Sequence, residues 1–180
     1  MYTINKDQSI MRDNTSSEGL KELIKELGDT SKMRMVEIGS FIGESTIIFA
    51  EHFNQVIAID PFQADYHKED PTSKFNFDEV YDEYMRRTSP FPNIKTLRLT
   101  SDSALDVLKD ELFDFIYIDG IHTYEQVKID IDNYLPLLKE GGIIGGHDYG
   151  PHWPGVNKAV DEKFGKPDKV FKDTSWIKIL

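Results

Sequence analysis

The chain has 180 residues, of which 39% are hydrophobic and 29% charged, with a net charge of −11 and no cysteine. This length supports one domain with a core, and the missing cysteines exclude disulfides, thiolate metal sites and cysteine nucleophiles. The acidity argues against a nucleic-acid partner, and no apolar run approaches the roughly 20 residues that span a bilayer. The N-terminus is polar, unlike a secretion signal. We therefore expect a cytoplasmic protein without a membrane partner.

The hydrophobic pattern predicts helices and strands in alternation after a flexible arm at residues 1–14. A capping box from Thr15 to Glu18 opens the first helix, and Gly28 ends it. Strands are expected at residues 33–38, 55–59, 94–99, 113–118 and 143–146, and further helices at 45–53, 104–108, 124–140 and 156–164. Residues 169–171 and 176–180 form a predicted hairpin. This order predicts a single α/β domain at 15–180, with a Rossmann-like, doubly wound, mostly parallel seven-stranded sheet and a C-terminal antiparallel hairpin.

Residues 61–93 form a long, polar and aromatic insertion between the second and third strands. Apolar side chains from Phe77 to Met85 follow helical spacing, so the insertion should contain one amphipathic helix. Connections of this length usually carry function, here as a lid or substrate loop. The insertion can fold over its own pocket or over a neighbouring subunit, which leaves a homodimer open.

Acidic residues end each of the five predicted parallel strands. They are Glu37, Asp60, Asp102, Asp119 and Asp148. In an open α/β sheet the ligand crevice lies outside the carboxyl ends of the strands, so these five carboxylates are expected along one edge. Such an edge favours a cationic ligand, a metal ion, or both.

The segment EIGSFIGEST follows the first strand and places Gly39 and Gly43 in the turn before the next helix. Glycines in this turn let a ligand approach the backbone. The spacing lacks the third glycine of a nicotinamide-binding fingerprint, and Glu44 at the helix start would repel an anion. The turn is therefore interpreted as a site for an uncharged or cationic ligand.

The glycine turn and the acids that follow strands two and three resemble class I S-adenosylmethionine-dependent methyltransferases over roughly residues 30–180. The resemblance implies S-adenosylmethionine as cofactor, with its methionine part against the turn, its ribose at Asp60 and its adenine at Asp102. Ser45 would reach the methionine carboxylate, and Glu37 would lie beneath the turn. The implied cofactor residues are Glu37, Gly39, Ser40, Phe41, Gly43, Ser45, Asp60, Pro61, Ser101, Asp102, Ser103 and Asp119. Helix capping is an equal alternative for Ser101 and Ser103.

The segments DGIHTY and GGHDYG narrow the resemblance to small-molecule O-methyltransferases related to the macrocin and catechol enzymes. Carried over by position, Asp119, His147 and Asp148 would hold a divalent metal, magnesium or manganese. The imidazole departs from the all-oxygen set that magnesium prefers. Two alternatives stay open: His147 forms hydrogen bonds instead of binding the metal, or the site holds no ion at all. His122, with Asp119, is the catalytic candidate: it would act as general base, or otherwise cap the following helix or bond Asp119.

The resulting expectation is methyl transfer to a hydroxyl of a small molecule, such as a sugar or another secondary metabolite, with help from the metal. Three alternatives stay open. A nucleic-acid methyltransferase conflicts with the net charge, and a nicotinamide-binding oxidoreductase or epimerase conflicts with the glycine spacing. A non-catalytic, Rossmann-like cofactor-binding module conflicts with neither.

Overall fold

A computed structural model describes residues 14–68 and 70–180, with side chains from residue 17 onward. The helices of this part are α1 Asn14–Glu26, α2 Glu44–Ala50, α3 Phe77–Thr88, α4 Ser101–Leu108, α5 Tyr124–Tyr134 and α6 Pro154–Phe164, with short 3-10 helices at Pro71–Lys74 and Leu135–Leu137. The strands are β1 Arg34–Ile38, β2 Gln55–Ile59, β3 Ile94–Leu97, β4 Phe113–Ile118, β5 Leu138–Gly146, β6 Lys169–Val170 and β7 Trp176–Ile179. The predicted arm and the side chain of Thr15, on which the capping box depends, lie outside the description.

The seven strands form one sheet in the order β3-β2-β1-β4-β5-β7-β6. Strands β1 to β5 pair in parallel, whereas β7 runs antiparallel to β5 and β6 runs antiparallel to β7. The predicted fold class, a mostly parallel α/β sheet with a C-terminal antiparallel hairpin, is confirmed.

Helices cover both faces of the sheet because the parallel strands are apolar on both sides. In β1, Met35 packs with α1 and α2 on one face, and Val36 packs with α4, α5 and α6 on the other. Both side chains are fully buried. Helix α3 packs over Ala58 in a third, smaller cluster on the α2 side. The helix pattern of α1 is confirmed: Leu20, Leu23, Ile24 and Leu27 are all buried.

The fifth helix ends earlier than its apolar spacing indicated. It stops at Tyr134, a 3-10 turn follows, and Leu138 already belongs to β5. The prediction that this helix runs to residue 140, up to Gly141-Gly142, is wrong. Pro136 explains the difference, because its ring has no N–H to donate and clashes with the preceding turn. The two glycines instead lie within β5.

The insertion contains the predicted amphipathic helix, α3, and also the unpredicted 3-10 helix Pro71–Lys74. Asp70 caps this short helix by accepting a hydrogen bond from the Thr72 backbone N–H, 2.8 Å away. Across residues 14–68 and 70–180, we find no helix that combines the length and the apolar character of a membrane span.

The strand order reverses direction between β1 and β4, which places a topological switch point at their carboxyl ends. The segments that follow β1 and β4 approach closely there: a Cβ on Gly39 would lie 2.1 Å from the backbone carbonyl oxygen of Asp119. Gly39 also has a φ of +86°, which side-chain-bearing residues rarely adopt. Glycine is therefore required at this position for two independent reasons.

Candidate active site

A cavity of about 390 Å³ opens at the switch point. Its walls come from the carboxyl ends of β1, β2, β4 and β5, from the first turn of α4, and from the insertion. The residues that the sequence singled out and that line it are Gly39, Ser40, Phe41, Ser45, Asp60, Pro61, Ser101, Asp102, Asp119, His122, His147 and Asp148. The predicted convergence on one edge therefore holds for four of the five strand-ending acids.

Three predicted cofactor residues do not line the cavity. Glu37, the fifth acid, is fully buried within β1 and accepts hydrogen bonds from the hydroxyls of Ser45 and Thr46. It fixes the start of α2 to β1. Because the Ser45 hydroxyl donates to Glu37, it is already engaged within the protein.

Gly43 and Ser103 lie outside the cavity for reasons of packing. Gly43 caps α2 with φ +79°, and a Cβ there would lie 3.1 Å from the ring of Tyr84. Ser103 faces Thr100, whose side-chain oxygen accepts from the Ser103 backbone N–H at 3.2 Å. Thr100, and neither Ser101 nor Ser103, supplies the capping side chain of α4.

Asp60 ties the glycine turn to the end of β2. One carboxylate oxygen accepts from the backbone N–H groups of Ser40 and Phe41, at 3.1 and 2.9 Å. The other accepts from the backbone N–H of Phe62 at 2.7 Å. Burial raises the pKa of Asp60 although these three bonds favour its charged form. An ionised carboxylate has about four acceptor positions, so Asp60 retains capacity for a ligand.

Two carboxylates and two imidazoles converge at the ends of β4 and β5. Ligand atoms of Asp119, His122 and Asp148 all lie within 4.8 Å of one another. His122 Nε2 lies 3.0 Å from Asp148 Oδ2 and 3.8 Å from Asp119 Oδ1. His147 Nδ1 lies 3.2 Å from Asp148 Oδ2 and 3.7 Å from Asp119 Oδ1. The predicted metal residues do come together, and His122 joins them.

The protonation of this cluster follows from its charges. Burial opposes a charged imidazole, but the carboxylates of Asp119 and Asp148 outweigh it and raise the pKa of His122 to about 10. Burial opposes the charged form of Asp148 as well, yet the two neighbouring histidines hold its pKa well below the usual range. The carboxylates therefore favour the protonated form of His122, and a protonated imidazole cannot act as a general base.

Backbone strain accompanies the Asp148 carboxylate. Its φ is +64°, in the left-handed region that aspartate tolerates better than most residues. Strained conformations of this kind cluster at functional sites. In this turn the Asp148 carboxylate lies 3.0 Å from His122, which follows β4.

The insertion and α5 contribute lining residues that the sequence did not single out. Asp70 and Thr72 come from the insertion, and Gln126 and Asp130 from α5. The helical spacing of α5 could have placed Asp130 on the face toward α4, but nothing in the sequence fixes the path of the insertion. The insertion covers the cavity of its own chain.

Comparison with known proteins identifies the family of this chain. Residues 36–149 match a family model described as a methyltransferase domain. This range contains the carboxyl ends of β1 to β5, which surround the cavity. The chain belongs to this family. The predicted resemblance to class I S-adenosylmethionine-dependent methyltransferases is thereby confirmed.

Two curated relatives of this chain are uncharacterised proteins. One, from Acanthamoeba polyphaga mimivirus, is 31% identical over 143 residues, which is 73% of this chain and 61% of the relative. The other, from Sinorhizobium fredii, is 30% identical over 122 residues, which is 64% of this chain but only 13% of the relative. The chain thus spans less than two thirds of the length of either protein.

Solved methyltransferase structures share the fold. The O-methyltransferase NovP superposes with a TM-score of 0.69 at 18% identity, over 92% of this chain and 79% of NovP. An O-methyltransferase from Bacillus cereus in complex with S-adenosylhomocysteine gives 0.60 at 18% identity, over 92% and 80%. The N-methyltransferase NodS from Bradyrhizobium japonicum gives 0.59 at 18% identity, over 93% and 96%. The fold is therefore compatible with oxygen and nitrogen acceptors alike.

Proposed function

We propose that this methyltransferase transfers the methyl group of S-adenosylmethionine to a hydroxyl of a small molecule that carries no phosphate or carboxylate, with assistance from a divalent cation. The observation that carries the proposal is the shared cavity. The glycine turn with Asp60 and the cluster of Asp119, Asp148 and two histidines open into the same space. A donor and an acceptor can therefore be held side by side, and positioning supplies much of the rate of such a transfer.

The cofactor half of the cavity is proposed at the turn after β1. Asp60 would use its remaining acceptor capacity for the ribose hydroxyls while it holds the turn through Ser40 and Phe41. The adenine would lie toward α4, where Ser101 and the exposed Asp102 line the cavity. Asn133 donates to Asp102 from α5 at 3.2 Å and so orients that carboxylate.

The acceptor half is proposed at the cluster formed by β4 and β5. Carboxylate and imidazole donors within 4.8 Å of one another suit a divalent transition metal such as Mn²⁺ better than Mg²⁺, which favours oxygen ligands. Asp119, Asp148 and His122 would hold the ion, and His147 lies against the same carboxylates. When bound, such an ion lowers the pKa of a coordinated hydroxyl and orients it.

His122 is proposed as a ligand in place of the general base that the sequence suggested. A cation between the carboxylates would compete with the proton that they now hold on the imidazole. Trp153 packs against the ring of His122, with centroids 4.6 Å apart, and shields it from solvent. These contacts keep the imidazole directed at the carboxylate pair.

The charge of the cavity supports an acceptor without anionic groups. Its described lining includes the carboxylates of Glu44, Asp60, Asp70, Asp102, Asp119, Asp130 and Asp148, and neither lysine nor arginine is among the lining residues of this part of the chain. A phosphorylated or carboxylated acceptor would enter against this field. The same field opposes a nucleic-acid acceptor, whose phosphates are bound by lysine and arginine.

Two variants separate the two halves of the proposal. Asp60→Ala should weaken S-adenosylhomocysteine binding by at least about tenfold in titration calorimetry, since it removes charged hydrogen bonds worth about 1.5–3 kcal/mol each. Asp119, which the resemblance placed at both cofactor and metal, is proposed here to act through the cation, so Asp119→Asn should bind S-adenosylhomocysteine normally but lose turnover in a homocysteine-release assay. The assay would screen neutral hydroxylated metabolites with Mn²⁺ and with a chelator. Normal cofactor binding by Asp60→Ala would contradict the cofactor assignment. Turnover that is insensitive to the chelator, together with a fully active Asp119→Asn, would contradict the proposed role of the ion.

A further inference from the structure

The insertion contributes a buried carboxylate, Asp70, to the edge of the cation cluster. Asp70 is only 4% exposed although it belongs to a connection between strands. Its Oδ1 accepts from the backbone N–H and the hydroxyl of Thr72, at 2.8 and 2.7 Å. Its Oδ2 accepts from the hydroxyl of Tyr66 at 3.1 Å. Three donors from its own segment thus hold the carboxylate in place.

The same Oδ2 faces the imidazole of His122. It lies 3.7 Å from His122 Nδ1, while His122 Nε2, on the opposite side of the ring, faces Asp148 and Asp119. Trp153 covers the ring plane. The imidazole is therefore bracketed by a carboxylate of the insertion on one nitrogen and by the proposed metal ligands on the other.

We propose that Asp70 is a positioning residue for His122: it accepts the Nδ1–H hydrogen bond and leaves the Nε2 lone pair directed at the divalent cation. The inference rests on the proposed function and adds the insertion to the cation site. A neutral imidazole has one N–H, and the partner of one nitrogen decides which nitrogen is free to bind a metal. Carboxylates fill this partner role behind many metal-binding histidines. A shift of about 0.5–0.8 Å brings the 3.7 Å contact within hydrogen-bond range.

This arrangement connects the cation site to the insertion. Tyr66 and Thr72 line the cavity, and the hydroxyls of both donate hydrogen bonds to Asp70. When His122 is neutral and bound to the ion through Nε2, its Nδ1–H needs an acceptor, and Asp70 is the acceptor that faces it.

The substitution Asp70→Asn isolates this role. Asparagine retains a side-chain oxygen for the Thr72 backbone N–H, and it is as good a helix N-cap as aspartate, so the 3-10 helix should persist. Asp65→Asn is the matched control. Asp65 lies in the same insertion, is exposed, and pairs with Lys74 outside the cavity. Its φ of +59° suits asparagine as well as aspartate.

The experiment is a calorimetric titration of Mn²⁺ into wild type, Asp70→Asn and Asp65→Asn, each also tested for S-adenosylhomocysteine binding. Asp70→Asn should lose about 10- to 100-fold in Mn²⁺ affinity, the usual cost of removing such a partner. Asp65→Asn should stay within about twofold of wild type, the level expected when a solvent-exposed charge is removed. All three should bind S-adenosylhomocysteine alike, which reports an intact fold.

A second measurement reads the tautomer of His122 directly. Histidine-selective ¹⁵N spectra of the Zn²⁺-loaded protein should show a protonated Nδ1 in wild type and a disturbed signal in Asp70→Asn. Equal Mn²⁺ affinity of the two variants, with an unchanged His122 signal, would overturn the role of Asp70 and leave the methyltransferase proposal standing. A wild type that binds no divalent cation would overturn both this inference and the cation part of the proposed function. Binding of S-adenosylhomocysteine would still test the cofactor part.

Discussion

Single residues decide the chemistry of this site, and the sequence revealed them unequally. Asp119 and Asp148 were predictable because each lies within two residues of the end of a strand. Asp70 was not, because only the folded path of a long insertion brings it to within 3.7 Å of His122. Glu37 shows the opposite error as a cavity acid: it lies within β1, and its carboxylate accepts hydrogen bonds from Ser45 and Thr46 at the start of α2 instead of entering the cavity. Alternation along a strand sends neighbouring side chains to opposite faces, and strand-end position alone does not determine the face.

Asp130 is buried, and its surroundings favour the neutral form of its carboxyl group. Burial raises its pKa from 3.8 to about 6, although Ser101 and Gln126 bond the charged form. The neutral carboxyl of Asp130 therefore makes its full contribution to the stability of the folded state below about pH 4. This contribution is lost as the pH rises through about 6. Asp130→Asn should therefore be more stable than wild type at pH 8, by up to about 3 kcal/mol, and equally stable near pH 4.

Urea denaturation at pH 8 and at pH 4 checks this expectation. Asp132→Asn is the control on the same helix, because Asp132 is exposed and its hydrogen bonds from Lys163 and Lys128 lower its pKa. That control should gain no stability at pH 8. An equal gain of Asp130→Asn at both pH values would mean that packing, and not charge, is responsible.

At the scale of elements, the sequence predicted which segments are helices and strands better than it predicted where they end. Strand β2, Gln55–Ile59, and strand β4, Phe113–Ile118, have the predicted bounds because polar or turn residues flank continuous apolar runs. Helix α5 ends at Tyr134 because Pro136 overrides an apolar spacing that continues to Leu138. The 3-10 helix at Pro71–Lys74 had no periodic signal at all, since it depends on the local cap from Asp70.

The turn between β1 and α2 should tolerate no side chain at Gly39. A Cβ there would lie 2.1 Å from the Asp119 carbonyl oxygen, and alanine would also adopt φ +86° with strain. Gly39→Ala should reduce the free energy of unfolding by at least about 3 kcal/mol, since strain and a backbone clash add. Chemical denaturation measures the loss.

Gly28→Ala is the control for that measurement. Gly28 has a similar φ of +82°, but nothing lies within 4 Å of a Cβ placed there. It should cost only the backbone strain, about 1 kcal/mol. Equal losses in the two variants would show that the contact between the β1 turn and β4 does not restrict Gly39.

At the scale of the whole molecule, the fold class was the most predictable property and the identity of the acceptor the least. The alternation of strands and helices, followed by two short terminal strands, predicted a mostly parallel sheet with an antiparallel hairpin. The strand order, and with it the switch point between β1 and β4, became visible only in the structure. The insertion lines the cavity, and its side-chain positions depend on contacts distant in sequence.

Binding of the cofactor product should stabilise the entire domain. At one hundred times its dissociation constant, S-adenosylhomocysteine adds about 2.7 kcal/mol to the stability of the folded state. For a domain of this size that amounts to a rise in Tm of roughly 5–10 °C, measured by differential scanning fluorimetry. NAD is the control and should cause no shift. A shift with NAD and none with S-adenosylhomocysteine would favour an oxidoreductase instead.

The stacking of Trp153 on His122 gives the molecule a built-in optical reporter. The chain contains only two tryptophans, and the other, Trp176, is buried in the core with an indole N–H that meets no acceptor in the described part of the protein. Replacing Trp176 by phenylalanine would leave a single emitter, set 4.6 Å from the ring of His122. Its fluorescence would then follow the charge on that ring during a titration, without any attached dye.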